Sequence, residues 1–222
     1  MTSSIDQVLQ AAVAAGAVPN VVAMAADRDD VIYEGAAGPR AAGADEPVSA
    51  DTHFRIMSMT KMVATVAALQ QMERGKLDLD APIDTYCPEF ADIQVLEGFD
   101  GDKPKLRPPA GRATVKQLIT HTSGLGYWFW NADLVRWESA TGTPNVLAGT
   151  NVIFTAPLVA DPGTRFEYGI NTDWLGKVVE AASGVTLDVA VKDGITGPLG
   201  MGETEFAPTG ATGQPDPDPP EG

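Results

Sequence analysis

Cysteine and histidine are nearly absent from this chain. Its 222 residues include one cysteine, Cys87, and two histidines, His53 and His121. A lone cysteine excludes an intrachain disulfide and is expected to be a small buried or loop residue. So few Cys and His side chains exclude a zinc cluster, and no metal or organic cofactor is expected. Positive charge is also scarce, with 15 Lys and Arg against 30 Asp and Glu and a net charge of −15. Nucleic acid and anionic membranes recruit basic surfaces, so neither is an expected partner. No apolar run approaches the roughly 20 residues needed to cross a bilayer. Met1-Thr2-Ser3-Ser4-Ile5-Asp6 shows no basic segment followed by a long apolar one, so no secretion leader is expected and the default location is cytoplasmic. The 44% hydrophobic and 20% charged residues fit a folded chain long enough for one sizeable core.

Periodicity outlines the elements. A helix capped by Ser3 or Ser4 carries Ile5, Val8, Leu9, Ala12 and Val13, ending at Gly16. Val21 to Ala26 and Val31 to Ala36 read as a hairpin joined at Asp27-Arg28-Asp29-Asp30. Ser58 to Arg74 reads as a helix stopped by Gly75, apolar on several sides and so expected to be central and buried. Ala81 to Arg112 reads as irregular, being interrupted by Pro82, Pro88, Pro104, Pro108 and Pro109. Thr114-Val115-Lys116-Gln117 fits a capping box ahead of a short helix. A helix from Thr172 or Asp173 to Gly184 and another capped by Thr186 follow. Gly197 to Gly202 reads as a turn, since it lacks the Lys-Ser/Thr of a phosphate loop. Residues 1–207 make one domain, with a helical subregion at about 81–183. The tail at 208–222, rich in Pro, Gly and Asp, reads as loop or disorder.

Chemistry concentrates at Ser58-Met59-Thr60-Lys61. Residues three apart share a helix face, so Lys61 can reach the Ser58 hydroxyl. A serine alcohol becomes a good nucleophile when a neighbour takes its proton. Lysine can do so if burial lowers its pKa from about 10.4 toward neutrality, and Met59, Met62 and Val63 suggest a dry setting. A helix N-terminus at Ser58 would favour developing negative charge. The competing structural readings are a helix cap for Ser58 and a snorkelling surface side chain for Lys61.

Other segments join this motif: Phe54-Arg55-Ile56-Met57, Gly75-Lys76-Leu77-Asp78-Leu79-Asp80, Thr120-His121-Thr122-Ser123-Gly124-Leu125, and Asp161 to Tyr168 leading to Leu175-Gly176. Together they resemble the serine β-lactamase-like superfamily over about Ile5 to Met201, closest to the family VIII carboxylesterases with a class C β-lactamase fold. The resemblance implies an α/β (α+β) fold with an antiparallel sheet and a helical region. It also implies a serine hydrolase that cleaves small carboxylic esters through an acyl-enzyme. Ser58 would be the nucleophile, Lys61 the base or relay, and Tyr168 the third member, its anion held by the lysine ammonium. The histidine of His121-Thr122-Ser123-Gly124-Leu125 would be structural, hydrogen-bonding backbone near the nucleophile helix, and Ser123 a turn residue. Penicillin-recognising members carry Y-x-N. Here Asn171 comes one residue too late after Tyr168, which favours esters over lactams. Tyr127, Trp128, Phe129 and Trp130 either line the substrate pocket or pack in a core or interface.

The family's third element, often K-T-G, H-x-G or W-x-G, supplies the second oxyanion N–H. No such motif stands between Gly184 and Gly222. The C-terminal strands of the fold are therefore expected to be missing from this chain. Either a second chain supplies them and the oxyanion-hole strand, or the chain is a truncated product with a reduced fold. β-Lactamase or D-aminoacyl peptidase activity, and a non-catalytic remnant acting as a binding subunit, remain the alternatives to ester cleavage.

Overall fold

The computed structural model describes residues 4–206. The expected cap at Ser3 and the tail at 208–222 lie outside the described residues. The chain divides after Arg55 into two compact units.

The first unit is a helix and a hairpin. Helix α1 (Ser4–Ala14) precedes strands β1 (Val21–Ala26) and β2 (Val31–Ala37), which pair antiparallel as expected. One carboxylate oxygen of Asp27 accepts from the backbone N–H of both Asp29 and Asp30, each at 2.8 Å, and this Asx turn reverses the chain. The Tyr33 hydroxyl donates to Asp6 at 2.9 Å and so ties β2 to α1.

The second unit is built on two helices. A short 3-10 turn, Met57–Met59, leads into α2 (Thr60–Glu73). Helix α5 (Asn171–Ser183) buries Trp174, Leu175, Val178 and Val179. The buried face of α2 is Ala64, Ala67, Ala68 and Gln71. Small side chains at helical spacing let α2 lie close to α5. Phe90 and Phe154 meet Trp174 edge to face, both with centroids 4.9 Å away. Helix α2 is not buried on all sides, as its sequence suggested. Met59, Met62 and Val66 form an exposed stripe, with Met62 70% exposed. Alanine packing serves one face only, which leaves the longer apolar residues on the other.

The region from Ala81 to Arg112 also departs from expectation, because it contains a second hairpin. Strands β3 (Val95–Asp100) and β4 (Lys103–Arg107) pair antiparallel, with a register shift between Leu96 and Gly98. Asp100-Gly101 was the legible turn signal. Pro104 obscured it, although a short two-stranded sheet tolerates a proline whose missing N–H faces outward. Among the described residues the strands form two antiparallel pairs.

Helix α3 (Val115–Ile119) begins in the expected capping box of Thr114 and Gln117. Helix α4 (Ala132–Thr141) is capped by Asn131, whose side chain accepts from Asp133 and Leu134. Helix α5 ends at Gly184 as read. Helix α6 (Leu187–Val191) follows Thr186, whose side chain makes no capping bond. The first N–H of the helix, that of Leu187, is met instead by Glu180 of α5 at 2.9 Å. A π-turn at Lys192–Thr196 precedes the Gly197–Gly202 turn. Cys87 is buried and free, and burial pushes its thiol up to about 11. That leaves it a packing residue.

Asn171 is the buried polar hub of this unit. It is 0% exposed, and its amide donates to the Leu125 and Glu167 carbonyls at 3.0 and 3.1 Å. Its carbonyl accepts from the Ser123 hydroxyl at 2.6 Å. Asn171→Ala orphans all three partners, and each buried unmet group costs about 1–3 kcal/mol. Urea unfolding should show a loss of at least about 2 kcal/mol for Asn171→Ala and a smaller loss for Ser123→Ala.

Candidate active site

Ser58 lies in the 3-10 turn and Lys61 in the first turn of α2. The Lys61 ammonium donates to the Ser58 hydroxyl at 3.2 Å. The residues at the cap positions are Ile56 and Met59, and neither makes a side-chain cap bond. The helix-cap reading of Ser58 therefore fails. Met57, just before the serine, has φ 47°, and His121 has φ 54°. These are the two non-glycine residues with positive φ among the described residues, and both sit at this site. Such backbone costs about 1–3 kcal/mol and persists where surrounding structure enforces it.

Tyr168 arrives from the other side. The segment leading to it is anchored at Asp161, whose carboxylate takes a bidentate pair from Arg107 of β4 at 2.9 and 2.7 Å and the Ala110 N–H at 2.8 Å. The arginine holds that carboxyl at about 2, well below the usual range. Asp161-Pro162-Gly163-Thr164 then turns, with the Thr164 hydroxyl donating to the Asp161 carbonyl at 2.6 Å. Gly163 N–H donates to Thr122 O at 2.7 Å, and Glu167 N–H to His121 O at 2.8 Å. The segment from His121 to Gly126 is thus the bracket on which Tyr168 is mounted. Gly169 makes the closest approach. A Cβ there would lie 2.4 Å from the Leu125 carbonyl oxygen and from the Gly126 carbonyl carbon. Only glycine lets the two backbones touch.

Electrostatics differ from the sequence expectation. Burial pulls the Lys61 pKa down, but hydrogen bonding and charge interaction with Tyr168 and Tyr127 carry it above its ordinary 10.5. Lys61 is therefore an ammonium in the resting site, not a near-neutral amine. The surrounding phenols do this, not a dry methionine wall, since Met59 is 62% exposed. Tyr168 shows the complementary effect. Burial pushes its phenol up, yet hydrogen bonding to Ser58 and Lys61, with the lysine charge, brings it below its ordinary 10.0.

The aromatic run Tyr127 to Trp130 divides. Tyr127 is buried, while Phe129 and Trp130 are exposed. Lys61 Nζ lies 5.4 Å from the Tyr127 ring centroid and 4.9 Å from that of Tyr168. Trp128 is half-buried and edge-on to Phe129 at 5.5 Å.

His121 packs its ring against Tyr168, with centroids 4.8 Å apart. Its Nδ1 is buried without a hydrogen-bond partner, so the expected bond to backbone through this nitrogen is not formed. Asp173, in the first turn of α5, was missed as a site residue. Burial raises its carboxyl pKa, while the Lys61 charge lowers it. Its place five residues after Tyr168, on the same helix entry, was the available signal. Among the described residues no group of His, Cys, Asp and Glu could hold a metal ion.

A serine and an ammonium at the start of α2, met by a phenol of lowered pKa from the entry to α5, are chemical equipment suited to acyl transfer. The β-lactamase family profile matches residues 5–218. The chain belongs to the β-lactamase family. It is 37% identical over 210 residues to the acyltransferase mokF of Monascus pilosus, covering 90% of this chain and 51% of that protein. It is 36% identical over 209 residues to the lovastatin esterase of Penicillium rubens, covering 91% of this chain and 52% of that protein. Among solved structures, unliganded simvastatin synthase (LovD) of Aspergillus terreus superposes with a TM-score of 0.81 at 34% identity, covering 91% of this chain and 53% of that one. The chain spans about half the length of the relatives it matches. Its fold is the β-lactamase/transpeptidase-like one, with helices and antiparallel sheets. No helix among the described residues is long and apolar enough to cross a membrane.

Two outcomes test this geometry. Gly169→Ala must push Tyr168 off its bracket, and a displacement of about 1 Å can cost 10²-fold in rate. Ser58 phosphonylation by a fluorophosphonate should slow by about that factor. Burial, with the Lys61 charge, holds His121 down at about 4 against an ordinary 6.5. The unfolded chain therefore binds the extra proton first as pH falls. Stability is complete above 6.5, declines between 6.5 and 4, and levels off below. Unfolding free energy against pH should lose this step in His121→Gln.

Proposed function

We propose that this protein is a serine acyl hydrolase that cleaves small carboxylic esters through an acyl-enzyme. The observation that carries the reading is the Lys61 ammonium, 3.2 Å from the Ser58 hydroxyl and over the Tyr168 ring. The ammonium stabilises the Tyr168 phenolate, and the phenolate takes the Ser58 proton. Ser58 Oγ then bonds to the ester carbonyl carbon. The tetrahedral intermediate collapses with cleavage of its bond to the alcohol oxygen, and Tyr168 returns the proton to the departing alkoxide. Water, deprotonated by Tyr168, releases the acid and regenerates Ser58. Lys61 keeps its proton throughout, which suits a group whose pKa its neighbours raise.

Esters are favoured over lactams and D-aminoacyl peptides because every polar atom of the Asn171 side chain is committed inside the protein. It is not free to hold a substrate amide. A second reading, transfer of the acyl group to an alcohol other than water, draws on relatives that are an acyltransferase and methylbutanoyltransferases. The two readings share the acyl-enzyme and differ in what attacks it. The exposed rings of Phe129 and Trp130 beside Tyr127 fit an apolar acyl or alcohol group.

The Ser58 amide is one donor for the tetrahedral oxyanion. We extend the proposal to a second chain that supplies the other donor on a strand. Losing one such donor costs about 10²–10³ in rate. Intact mass of the active material should then reveal a second polypeptide; a fully active single species rules it out.

Hydrolysis of p-nitrophenyl butyrate should vanish in Ser58→Ala and fall about 10²–10⁴-fold in Tyr168→Phe. Undiminished turnover in Ser58→Ala would sink the mechanism. Adding a primary alcohol and separating products by mass spectrometry distinguishes the readings: new ester supports transfer, and acid alone supports hydrolysis.

A further inference from the structure

We propose that Tyr127 is a positioning residue for Lys61, clasping the ammonium against Tyr168 so that the lysine keeps its charge, and is not a wall of the substrate pocket. This rests on the acyl-enzyme reading above. The geometry separates Tyr127 from the rest of its aromatic run. It is 8% exposed, whereas Phe129 is 47% and Trp130 71% exposed. Its ring meets that of Tyr168 at 67°, with centroids 5.5 Å apart. Lys61 Nζ sits within 5.4 Å of one ring centroid and 4.9 Å of the other, so two aromatic faces converge on one cation. A cation over a ring gains more as water is excluded. Stacking on Phe129 at 4.9 Å and 18° fixes the plane of the Tyr127 ring.

The other groups facing Lys61 do not replace this contact. Ser58 accepts one ammonium N–H. Tyr168 is the proton carrier, so its own charge changes during the reaction. His121 is neutral near pH 7, since its pKa is held at about 4. Asp173 interacts with Lys61 through charge, and the same burial that surrounds it disfavours its ionised form. Tyr127 resists ionisation, because burial pushes its phenol up. It therefore offers a neutral hydroxyl oxygen and a ring face that stay constant while Tyr168 cycles. Interaction with Tyr127 is among the causes that hold the Lys61 pKa up.

The test follows the Lys61 titration directly, in the full chain, by NMR of the side-chain ε-carbon, assigned with Lys61→Arg. This measurement needs no turnover, so it is separate from whether Ser58 is acylated; a chain whose Ser58 never reacts with a fluorophosphonate refutes the functional reading instead. Tyr127→Phe keeps the ring and its stacking but deletes the oxygen. The Lys61 midpoint should move to lower pH, and the alkaline limb of Ser58 phosphonylation should move with it. Tyr127→Leu, which removes the ring too, should lower the midpoint further. An unchanged midpoint in both variants overturns the proposal. So does a Tyr127→Phe enzyme altered only in its preference among acyl chain lengths, since that is the behaviour of a pocket wall.

Discussion

The second unit depends on one buried hydrogen-bond hub. Asn171 binds the loop from Ser123 to Leu125 to the start of α5, and the same helix entry carries Tyr168. Backbone bonds from Gly163 and Glu167 to Thr122 and His121 extend the join. A buried amide with all its polar atoms paired is highly directional, because any shift leaves a group unsatisfied. The hub therefore fixes the Tyr168 segment against the Ser123–Leu125 loop, and the packing of α5 on α2 brings that assembly to Lys61.

Given that placement, the electrostatics follow. A cation and two phenols share one partly dry site, and each group alters the others. Lys61 gains affinity for its proton while Tyr168 loses some of its own. That asymmetry assigns the tasks. The group that is easier to deprotonate than usual acts as the base, and the group that is harder to deprotonate supplies steady charge. Strain at Met57 and His121 fits the same picture, since Met57 directly precedes Ser58 and the His121 ring packs on Tyr168.

Much of this was legible in the residue order. The spacing of Ser58 and Lys61 put them on one helix face, and the 3.2 Å contact realises it. Thr114 to Gln117 spelled its capping box. The first hairpin was plain from two β-rich runs around an Asp-rich turn. The second was hidden, because Pro104 looked like a strand breaker while Asp100-Gly101 was the better signal. Thr186 was a reasonable cap by type, but its side chain makes no capping bond, and Glu180 of the preceding helix accepts from the first N–H of α6 instead. The surroundings of Lys61 were misread for a similar reason. Met59 and Met62 are its neighbours in sequence, yet they point to the exposed side, and its real neighbours come from positions 127 and 168.

The sequence alone determined the chemistry available: one serine and one lysine at helical spacing, a tyrosine after a Pro-Gly turn, and too few cysteines and histidines for a zinc cluster. It also determined most elements, because caps, turns and periodicity are local. Tertiary structure decided the protonation states and the division of the aromatic run. A pKa depends on charges and burial within a few ångströms in space, and those come from segments more than sixty residues away in the chain. The folded join at Asn171, with the packing of α5 on α2, brings them within that range.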